Sequence, residues 1–520
     1  MKRAIITASA VVLTAGLVTA SPAEAKSGPA APKGQTTKLT NAVTVNGMLK
    51  HLRVFQRIAN NNGGNRASGL PGYEASVNYV ASELKKSGYS VKKQAFQFPF
   101  FQELTPAVLS VGGEPVENSV FTYSASGSVT GPIIPANVTI PPTGAPGTTE
   151  SGCEVGDFTP APANEDAIAL VQRGTCTFEV KVDNAVAAGY DAVIVFNEGQ
   201  PGRTEPVAGT LGVPKSVPVT GISYEDGAAL VAAGTPTGTL TTDVESDLNR
   251  TTWNVIADLP KKKLKKIKNK DQVVVVGSHL DSVPEGPGIN DNGSGAAGIL
   301  EIAKQLSKTK ADKKLQRPVR FAFWGAEELS LLGSEHYVAN LSDAQLSKIY
   351  ANLNFDMIGS PNYARFVYDG DGSSLDIAGP PGSGEIESVF TGYFDSKKLA
   401  HEPTAFDGRS DYGPFIAVGI PAGGLFTGAE GVKTPAQVPL YGGTAGVAYD
   451  KCYHQACDDI TNVNKNALNE MGDAAAFAVA TLGLSKSGLY PDGSRKAAKK
   501  AKGKSSAKAP GKAHGHAKIR

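Results

Sequence analysis

The sequence predicts an α/β protein, a three-layer sandwich with a mixed, mostly parallel central sheet flanked by helices and with a β-rich unit inserted into it. After residue 243 the chain alternates between short apolar runs and longer segments in which apolar residues recur at helical spacing. This alternation is typical of parallel strands covered by helices. Residues 106–243 are instead rich in Pro, Gly, Thr and Val and poor in charge, which indicates short strands and turns.

The first residues indicate export. Lys2 and Arg3 precede an apolar run over residues 4–20, and Ala23-Glu24-Ala25 follows as a cleavage site, so we expect a signal peptide over residues 1–25. A membrane anchor is the alternative, but Thr, Ser and Gly interrupt the run and no later stretch could span a bilayer. Residues 26–39 predict a flexible leader. We therefore expect a secreted protein without a membrane span.

The folded part is expected to begin near residue 40. Apolar residues at helical spacing predict two helices there, and a strand follows them. After the insert, β-branched and aromatic runs predict further strands separated by helices. The predicted helices are 43–59, 73–86 and 296–307, and the predicted strands are 89–98, 254–259, 273–277, 319–324 and 351–357.

The insert contains one βαβ unit, with strands over 167–173 and 192–197 around a helix over 177–189. The run Ala-Leu-Val-Gln-Arg173-Gly-Thr-Cys176-Thr-Phe178 closely resembles the protease-associated (PA) domain. That resemblance assigns residues 106–243 to a PA domain, which accompanies exported peptidases and has no catalytic residues of its own.

The chain has four cysteines, all in its exported part. An even number outside the cytoplasm indicates two disulfides, and the positions favour Cys153 with Cys176 and Cys452 with Cys457. The second bond would close a short loop and hold His454 in place. Metal binding by cysteine is the alternative, but the chain has no C-x-x-C spacing.

A net charge of +2 hides a basic tail on an acidic body. Residues 495–520 hold ten Lys or Arg and no acid, which leaves 41 basic and 49 acidic residues elsewhere. The tail is rich in Ala, Gly and Ser, so we expect residues 487–520 to be disordered. It is either a solvated appendage or a segment that contacts an anionic cell surface. We expect a monomer that needs no nucleic-acid partner.

Five separated segments carry side chains that can hold a divalent cation. Three of them follow predicted strands, at the sheet edge where open α/β folds bind ligands. Imidazoles and carboxylates are the mixed ligands that zinc accepts, and two zinc ions sharing one carboxylate would use all of them. The segments are Gly-Ser-His279-Leu-Asp281-Ser, Gly-Ile-Asn-Asp291-Asn-Gly-Ser-Gly, Trp-Gly-Ala-Glu327-Glu328, Asn-Phe-Asp356-Met-Ile-Gly and Tyr453-His454-Gln-Ala-Cys457-Asp.

Each side chain has a role that fits such a site, although each is a weak signal alone. His279 offers one ring nitrogen to a metal, and Asp281 can accept the proton of the other. Asp291 stands among small residues, where a carboxylate with both oxygens exposed can bridge two ions. Glu327 and Glu328 are adjacent, so one can bind metal while the other moves protons.

Together these segments resemble those of the exported di-zinc aminopeptidases, the family of bacterial leucyl aminopeptidases and aminopeptidase Y. The resemblance assigns residues 40–105 and 244–486 to a zinc peptidase domain that removes the N-terminal residue of peptides and proteins. It implies that Glu327 is the general base, that Tyr453 donates a proton to the developing oxyanion, and that a cis peptide bond follows Asp291. The implied ligands of two zinc ions are His279, Asp291 as the bridge, Glu328, Asp356 and His454.

The segments Gly408-Arg409-Ser-Asp-Tyr-Gly-Pro-Phe415 and Gly-Gly-Leu-Phe426-Thr-Gly-Ala match the same family. Arg409 and Phe426 are therefore expected to line the substrate cleft. Glu327, Asp356 and the carbonyl of Arg409 would hold the free α-amine. Met357 and Phe426 either form an apolar pocket, which favours Leu, Met or Phe as the N-terminal residue, or pack in the core.

Three other functions fit parts of the pattern. A single-zinc glutaminyl cyclase shares this type of fold but would bind one zinc ion. Carboxypeptidases and deacylases also show His-x-Asp-x-Val-Pro, as residues 279–284 do, but the Gly-Arg-Gly segment that typically follows is absent. A receptor that has lost its ligands is the third alternative, and the complete ligand set opposes it.

Overall fold

The structure is a computed structural model that describes residue 29 and residues 34–490. The predicted signal peptide, half of the leader and most of the basic tail lie outside the described residues. The helices are α1 (Gln35–Thr40), α2 (Val45–Asn60), α3 (Pro71–Lys86), α4 (Phe178–Ala187), α5 (Tyr224–Ala232), α6 (Lys261–Leu264), α7 (Gly293–Lys308), α8 (Leu332–Ala339), α9 (Asp343–Leu346), α10 (Ser383–Lys397), α11 (Gly413–Ala417), α12 (Val438–Tyr441) and α13 (Lys465–Leu484), with 3₁₀ turns at Val155–Asp157 and Ala311–Lys314.

The described strands join in one sheet of 14 strands, ordered β13-β12-β14-β11-β9-β10-β8-β4-β5-β6-β7-β3, with β1 beside β8 and β2 beside β1. They are β1 (Ser90–Val111), β2 (Glu114–Val116), β3 (Ser119–Val120), β4 (Gly127–Pro135), β5 (Ile168–Gln172), β6 (Ala192–Phe196), β7 (Val219–Ile222), β8 (Thr237–Asp258), β9 (Val273–His279), β10 (Val319–Trp324), β11 (Ile349–Phe355), β12 (Phe366–Tyr368), β13 (Glu402–Thr404) and β14 (Ala422–Phe426).

The predicted fold class is confirmed. Strands β10, β9, β11 and β14 are mutually parallel, while β8 and β12 flank them in antiparallel pairs. Alternate side chains of β9 enter two different cores, because successive residues of a strand point to opposite faces. Val274 and Val276 pack in the core with α2, α3, α7 and α13, whereas Val275 packs with Tyr337 and Phe415 on the other face.

Two long strands connect the main α/β part of the chain to the insert. Strands β1 and β8 pair antiparallel from Ser90 with Asp258 to Val111 with Gly238. One end of this ribbon joins β10, and the other joins β4 of the insert. The predicted domain boundaries at residues 105/106 and 243/244 therefore fall inside continuous strands. The change in amino-acid composition at these two positions does not mark the end of a structural unit. A long paired strand can contain residues of either composition.

Two predicted boundaries need correction at the ends of the fold. The leader was predicted to be flexible through residue 39, but α1 is helical and Leu39 is fully buried in the main core. The disordered tail was predicted from residue 487, but Leu489 is buried and the Tyr490 ring packs on Tyr350. A single apolar residue in a polar segment can join a core that the rest of the chain has built. None of the described helices is long and apolar enough to span a bilayer.

Candidate metal centre

Three neighbouring parallel strands bring their carboxyl ends to one edge of the sheet. Strand β9 ends at His279, which lies in register with Trp324, the last residue of β10. On the other side of β9, Asn354 of β11 pairs with Gly277. Parallel strands in register deliver the residues that follow them to the same edge. The side chains of Glu327, Glu328 and Asp356 consequently lie near His279 at this edge.

Asp291 lies between the two imidazoles. Its Oδ1 is 3.3 Å from His279 Nε2, and its Oδ2 is 3.2 Å from His454 Nε2. The loop that presents it runs into α7, whose first turn is capped by the Asn292 side chain accepting from the amide of Gly295. The peptide bond between Asp291 and Asn292 is cis, as expected. One carboxylate thus offers one oxygen to each imidazole.

The remaining carboxylates divide between the two imidazoles. Asp356 Oδ1 is 3.2 Å from His279 Nε2, and Glu327 Oε2 is 3.7 Å from the same atom. Glu328 Oε2 is instead 3.0 Å from His454 Nε2. Glu327 and Glu328 are adjacent, so their side chains diverge towards different imidazoles. The cluster therefore consists of two groups, one around His279 and one around His454, and Asp291 belongs to both.

These residues fit a divalent cation on charge and on unused atoms. Five carboxylates lie within 3.7 Å of two imidazoles, and all of them are buried or nearly so. Among the described residues, Glu328 Oε1 is buried without a hydrogen-bond partner. Isolated buried negative charge costs several kcal/mol, and it is tolerated when it is paired or coordinates a metal. The donor set of imidazole and carboxylate is the one that zinc accepts.

The titration of the cluster reflects the same crowding. Burial raises the pKa of Glu328 to about 7, and it raises that of Glu327 well above the ordinary value. Burial would lower the pKa of His454, but its hydrogen bonds with Asp291 and Glu328 outweigh that effect and raise it to about 10. A proton bound to one of these side chains reduces the negative charge of the cluster, as a bound cation would.

Asp281 lies behind His279, but not as close as predicted. Its Oδ1 is 3.7 Å from His279 Nδ1, an ion-pair distance that is too long for a hydrogen bond. The same oxygen accepts from the amide of Glu327 at 3.3 Å. Asp281 therefore links the backbone of Glu327, the predicted base, to the Nδ1 side of the His279 imidazole.

Several supporting residues were not found from the sequence. Asp458 accepts from the amides of Asn290 and Asp291, each at 2.9 Å, and so holds the loop of the shared carboxylate. The Ser410 hydroxyl donates to Asp356 Oδ2 at 2.5 Å. The buried Arg66 guanidinium donates to the backbone carbonyls of Leu280, Pro287 and Gly288, in the segment that leads into this loop. The one signal available was that Asp458 directly follows the predicted Cys457 bridge.

A cavity of about 650 Å³ opens onto the cluster, and all of the predicted cleft residues line it. Met357 and Phe426 contribute apolar wall, so they do not serve the core alone. The Arg409 guanidinium is 2.7 Å from Glu430 and donates to the Tyr453 hydroxyl at 3.3 Å. The Tyr453 ring stacks on His454 at 3.8 Å between centroids. The cleft therefore places a phenol, a guanidinium and apolar surface beside the cluster.

Both predicted disulfides are present. Cys452 is bonded to Cys457, which closes the loop carrying Tyr453 and His454. The other bond joins Cys153 to Cys176 within the insert. No described cysteine is free. The alternative that cysteine binds the metal is excluded for the described cluster.

The fold and the cluster together define a metal-dependent hydrolase of the α/β class. Comparison with known proteins gives its family. Residues 254–479 match the model of peptidase family M28, and residues 129–230 match that of the PA domain. An aminopeptidase of Pseudomonas aeruginosa is 45% identical over 464 residues, which cover 86% of this chain and 82% of the relative. Leucine aminopeptidase 2 of Trichophyton rubrum is 44% identical over 431 residues, which cover 82% and 81%.

Solved structures agree with these matches. The aminopeptidase from Aneurinibacillus sp. strain AM-1 superposes with a TM-score of 0.61 at 28% identity, covering 88% of this chain and 97% of its own. BSAP, a zinc aminopeptidase from Bacillus subtilis, gives a TM-score of 0.56 at 28% identity and covers 84% and 94%. The chain belongs to peptidase family M28 and carries a PA domain. It is a zinc-dependent aminopeptidase, which confirms the enzyme class that the sequence predicted.

Proposed function

We propose that this enzyme binds two zinc ions and removes single, preferably apolar, residues from the N-terminus of peptides outside the cell. The observation that carries the proposal is the position of Asp291, whose two oxygens face different imidazoles at 3.3 and 3.2 Å. One ion would be held by His279 and Asp356, the other by Glu328 and His454, and Asp291 would contact both. With a single ion, the buried negative charge beside one of the two imidazoles would not be compensated.

Zinc bound by these residues would supply a Lewis acid for the scissile carbonyl and would lower the pKa of the attacking water molecule. Glu327 is the residue to take the proton from that water, because it lies at the cluster and follows the end of β10 on the same edge. The water oxygen bonds to the carbonyl carbon, and the protonated Glu327 carboxyl then gives its proton to the leaving amine nitrogen as the C–N bond breaks. Asp281 accepts from the Glu327 amide and so keeps this segment in place.

Tyr453 would assist the developing oxyanion. Arg409 donates a hydrogen bond to the phenol oxygen at 3.3 Å, which leaves the phenol proton available to another acceptor. A hydroxyl that donates to the oxyanion is worth more in the transition state than in the ground state. The loop closed by Cys452 and Cys457 fixes the position of the ring.

The restriction to free N-termini follows from charge. A substrate α-amine is cationic, and the cleft has an excess of carboxylates at its metal end. Glu327, Asp356 and the carbonyl of Arg409 would accept its hydrogen bonds. Met357 and Phe426 offer apolar surface to the first side chain, which favours Leu, Met or Phe.

Export is supported by two observations. The structure contains two disulfides, which form and persist in oxidising compartments. The cationic start, apolar run and Ala-x-Ala site over residues 1–25 have the pattern of a signal peptide. The PA domain would then act as the second unit of an extracellular peptidase.

The test compares leucine p-nitroanilide with its N-acetyl derivative and counts zinc by elemental mass spectrometry on the same preparation. We expect two zinc ions per chain, rapid cleavage of the free amine, and loss of activity with chelator that added zinc restores. Equal cleavage of the acetylated substrate would contradict the exopeptidase. One zinc ion per chain, with cyclisation of a glutaminyl peptide, would favour the single-zinc cyclase instead.

A further inference from the structure

A second cluster of carboxylates lies outside the zinc cluster, where strand β12 leads towards helix α10. Asp369 follows the last residue of β12, Asp371 lies two residues further, and Glu387 stands on α10. Each of the three places a carboxylate oxygen within 4.8 Å of the other two. The function described above uses none of them.

Backbone amides hold these carboxylates in place by one oxygen each. Asp369 Oδ2 accepts from the amides of Ser374 and Leu375 at 3.0 and 2.7 Å. Glu387 Oε2 accepts from the amide of Gly370 at 2.8 Å. The backbone of the connection between β12 and α10 thus donates hydrogen bonds to these carboxylates. The second oxygen of each carboxylate is not used by these bonds.

One of these remaining oxygens is buried and unused. The Asp369 side chain is 0% exposed, and its Oδ1 has no hydrogen-bond partner among the described residues. None of the ion pairs in the described part of the chain involves Asp369, Asp371 or Glu387. Burial and the charges of Asp371 and Asp369 raise the pKa of Glu387. A buried carboxylate oxygen without a hydrogen-bond partner is a position that a bound cation can occupy.

The chemistry of the cluster selects the ion. All three side chains offer oxygen and none offers nitrogen or sulfur, which suits a hard divalent cation rather than zinc. The run Asp369-Gly-Asp371-Gly-Ser373 alternates oxygen-bearing side chains with glycine, as the first positions of calcium-binding loops do. Asp371 and Ser373 are exposed, so waters can complete a coordination number of six to eight. We infer that Asp369, Asp371 and Glu387 form a calcium site.

The site has a structural consequence for the cleft. Tyr368 immediately precedes Asp369, lines the cavity, and stacks on Phe406 with 5.1 Å between ring centroids. A cation that fixes Asp369 against Glu387 also fixes the end of β12 and with it this wall of the cleft. Calcium should therefore stabilise the enzyme.

The test is equilibrium dialysis of the zinc-loaded full chain against radioactive calcium at about 1 mM, the upper range for extracellular calcium sites. We expect one calcium ion per chain, with the zinc content unchanged. Asp371→Asn should weaken calcium binding at least about tenfold, because one charged ligand is lost. Calcium should also raise the thermal unfolding midpoint of the wild type by about 2–4 °C, and should raise that of Asp371→Asn less.

Asp376→Asn is the matched control. Asp376 is an exposed aspartate of the same connection that lies outside the cluster, so its variant should bind calcium as the wild type does. The inference is overturned if the wild type binds no calcium, if Asp371→Asn binds it as tightly as the wild type, or if equal magnesium displaces it. Glu387→Gln provides a second ligand variant, so a folding defect in one variant leaves the test intact.

Discussion

The peptidase part and the PA domain both end buried parallel strands in acidic residues, but they neutralise those residues differently. Glu198 follows β6 of the PA domain, pairs with Arg203, and accepts hydrogen bonds from the Thr149 hydroxyl and the Gly147 amide. Glu328 follows β10 and keeps one oxygen without a partner among the described residues. Buried charge that the protein neutralises itself is structural, whereas charge left over is neutralised by a proton or by a bound cation.

The largest difference in activity between the two regions is expected from substitution of Glu327. Glu327→Gln removes the group that takes and returns the proton, so kcat should fall by up to about 10⁴-fold. Zinc content, measured by elemental mass spectrometry, should stay at the wild-type value because Glu327 is proposed not to bind metal. Glu198→Gln is the matched control, the same substitution at a buried glutamate of the PA domain, and its kcat should be that of the wild type. Loss of zinc in Glu327→Gln would reassign this residue as a ligand.

A smaller loss is expected at Tyr453. Tyr453→Phe keeps the ring that stacks on His454 and removes only the hydroxyl, so kcat should fall by about a hundredfold. The KM for leucine p-nitroanilide should change little, because the bond to the oxyanion forms in the transition state. Steady-state kinetics with both parameters measures this. A change confined to KM would show that the phenol serves substrate binding instead.

Substitution of Asp458 should lower the affinity for zinc more than it lowers kcat. Asp458→Asn places an amide nitrogen opposite one of the two backbone amides that the carboxylate now accepts, which loosens the loop of Asp291. Zinc affinity, measured by competition with a fluorescent chelator, should fall by about 10- to 100-fold, while kcat at saturating zinc recovers. Asp459→Asn, at the next residue, should behave as the wild type. Equal zinc affinity in both variants would show that the loop is held by other contacts.

The smallest effect on activity, and a distinct effect on stability, is expected in the PA domain. Burial would raise the pKa of Glu198, but hydrogen bonds from Gly147, Arg203 and Thr149 outweigh it and lower the pKa below the ordinary 4.5. A lowered pKa contributes stability at neutral pH that is lost as pH falls below 4.5 towards the native value.

Glu198→Gln should therefore destabilise the folded chain by about 1–3 kcal/mol at pH 7. The difference from the wild type should shrink as the pH falls below 4.5. Thermal unfolding of both proteins from pH 7 to pH 3 measures this. A difference that is constant over that range would mean that the charge of Glu198 does not stabilise the fold.

Much of the fold and of the candidate site could be predicted from the sequence because the signals are local. The run Val273-Val-Val-Val is long enough to identify a buried strand, and His279 stands directly after it. The loop of Asp291 is recognisable from its small neighbours. The Cys452 and Cys457 bridge identifies the loop of His454 by spacing alone.

The supporting residues could not be predicted because their partners are remote. Asp458 accepts from the amide of Asp291, 167 positions earlier in the chain, and Ser410 donates to Asp356 across 54 positions. An aspartate or a serine in a loop has no local pattern that identifies such a partner. The carboxylates at Asp369 and Glu387 were missed for the same reason, since they meet only when α10 packs beside β12.

The sequence by itself determined the order of strands and helices, the pattern that predicts export, the disulfides expected from spacing, and the side chains able to hold zinc. Tertiary structure alone decided that Asp291 faces both imidazoles and that Met357 and Phe426 line a cleft. It also decided that the two compositional domains share the continuous strands β1 and β8. The physical reason is that composition and periodicity act over neighbouring residues, whereas charge compensation and packing depend on distances that only the folded chain sets.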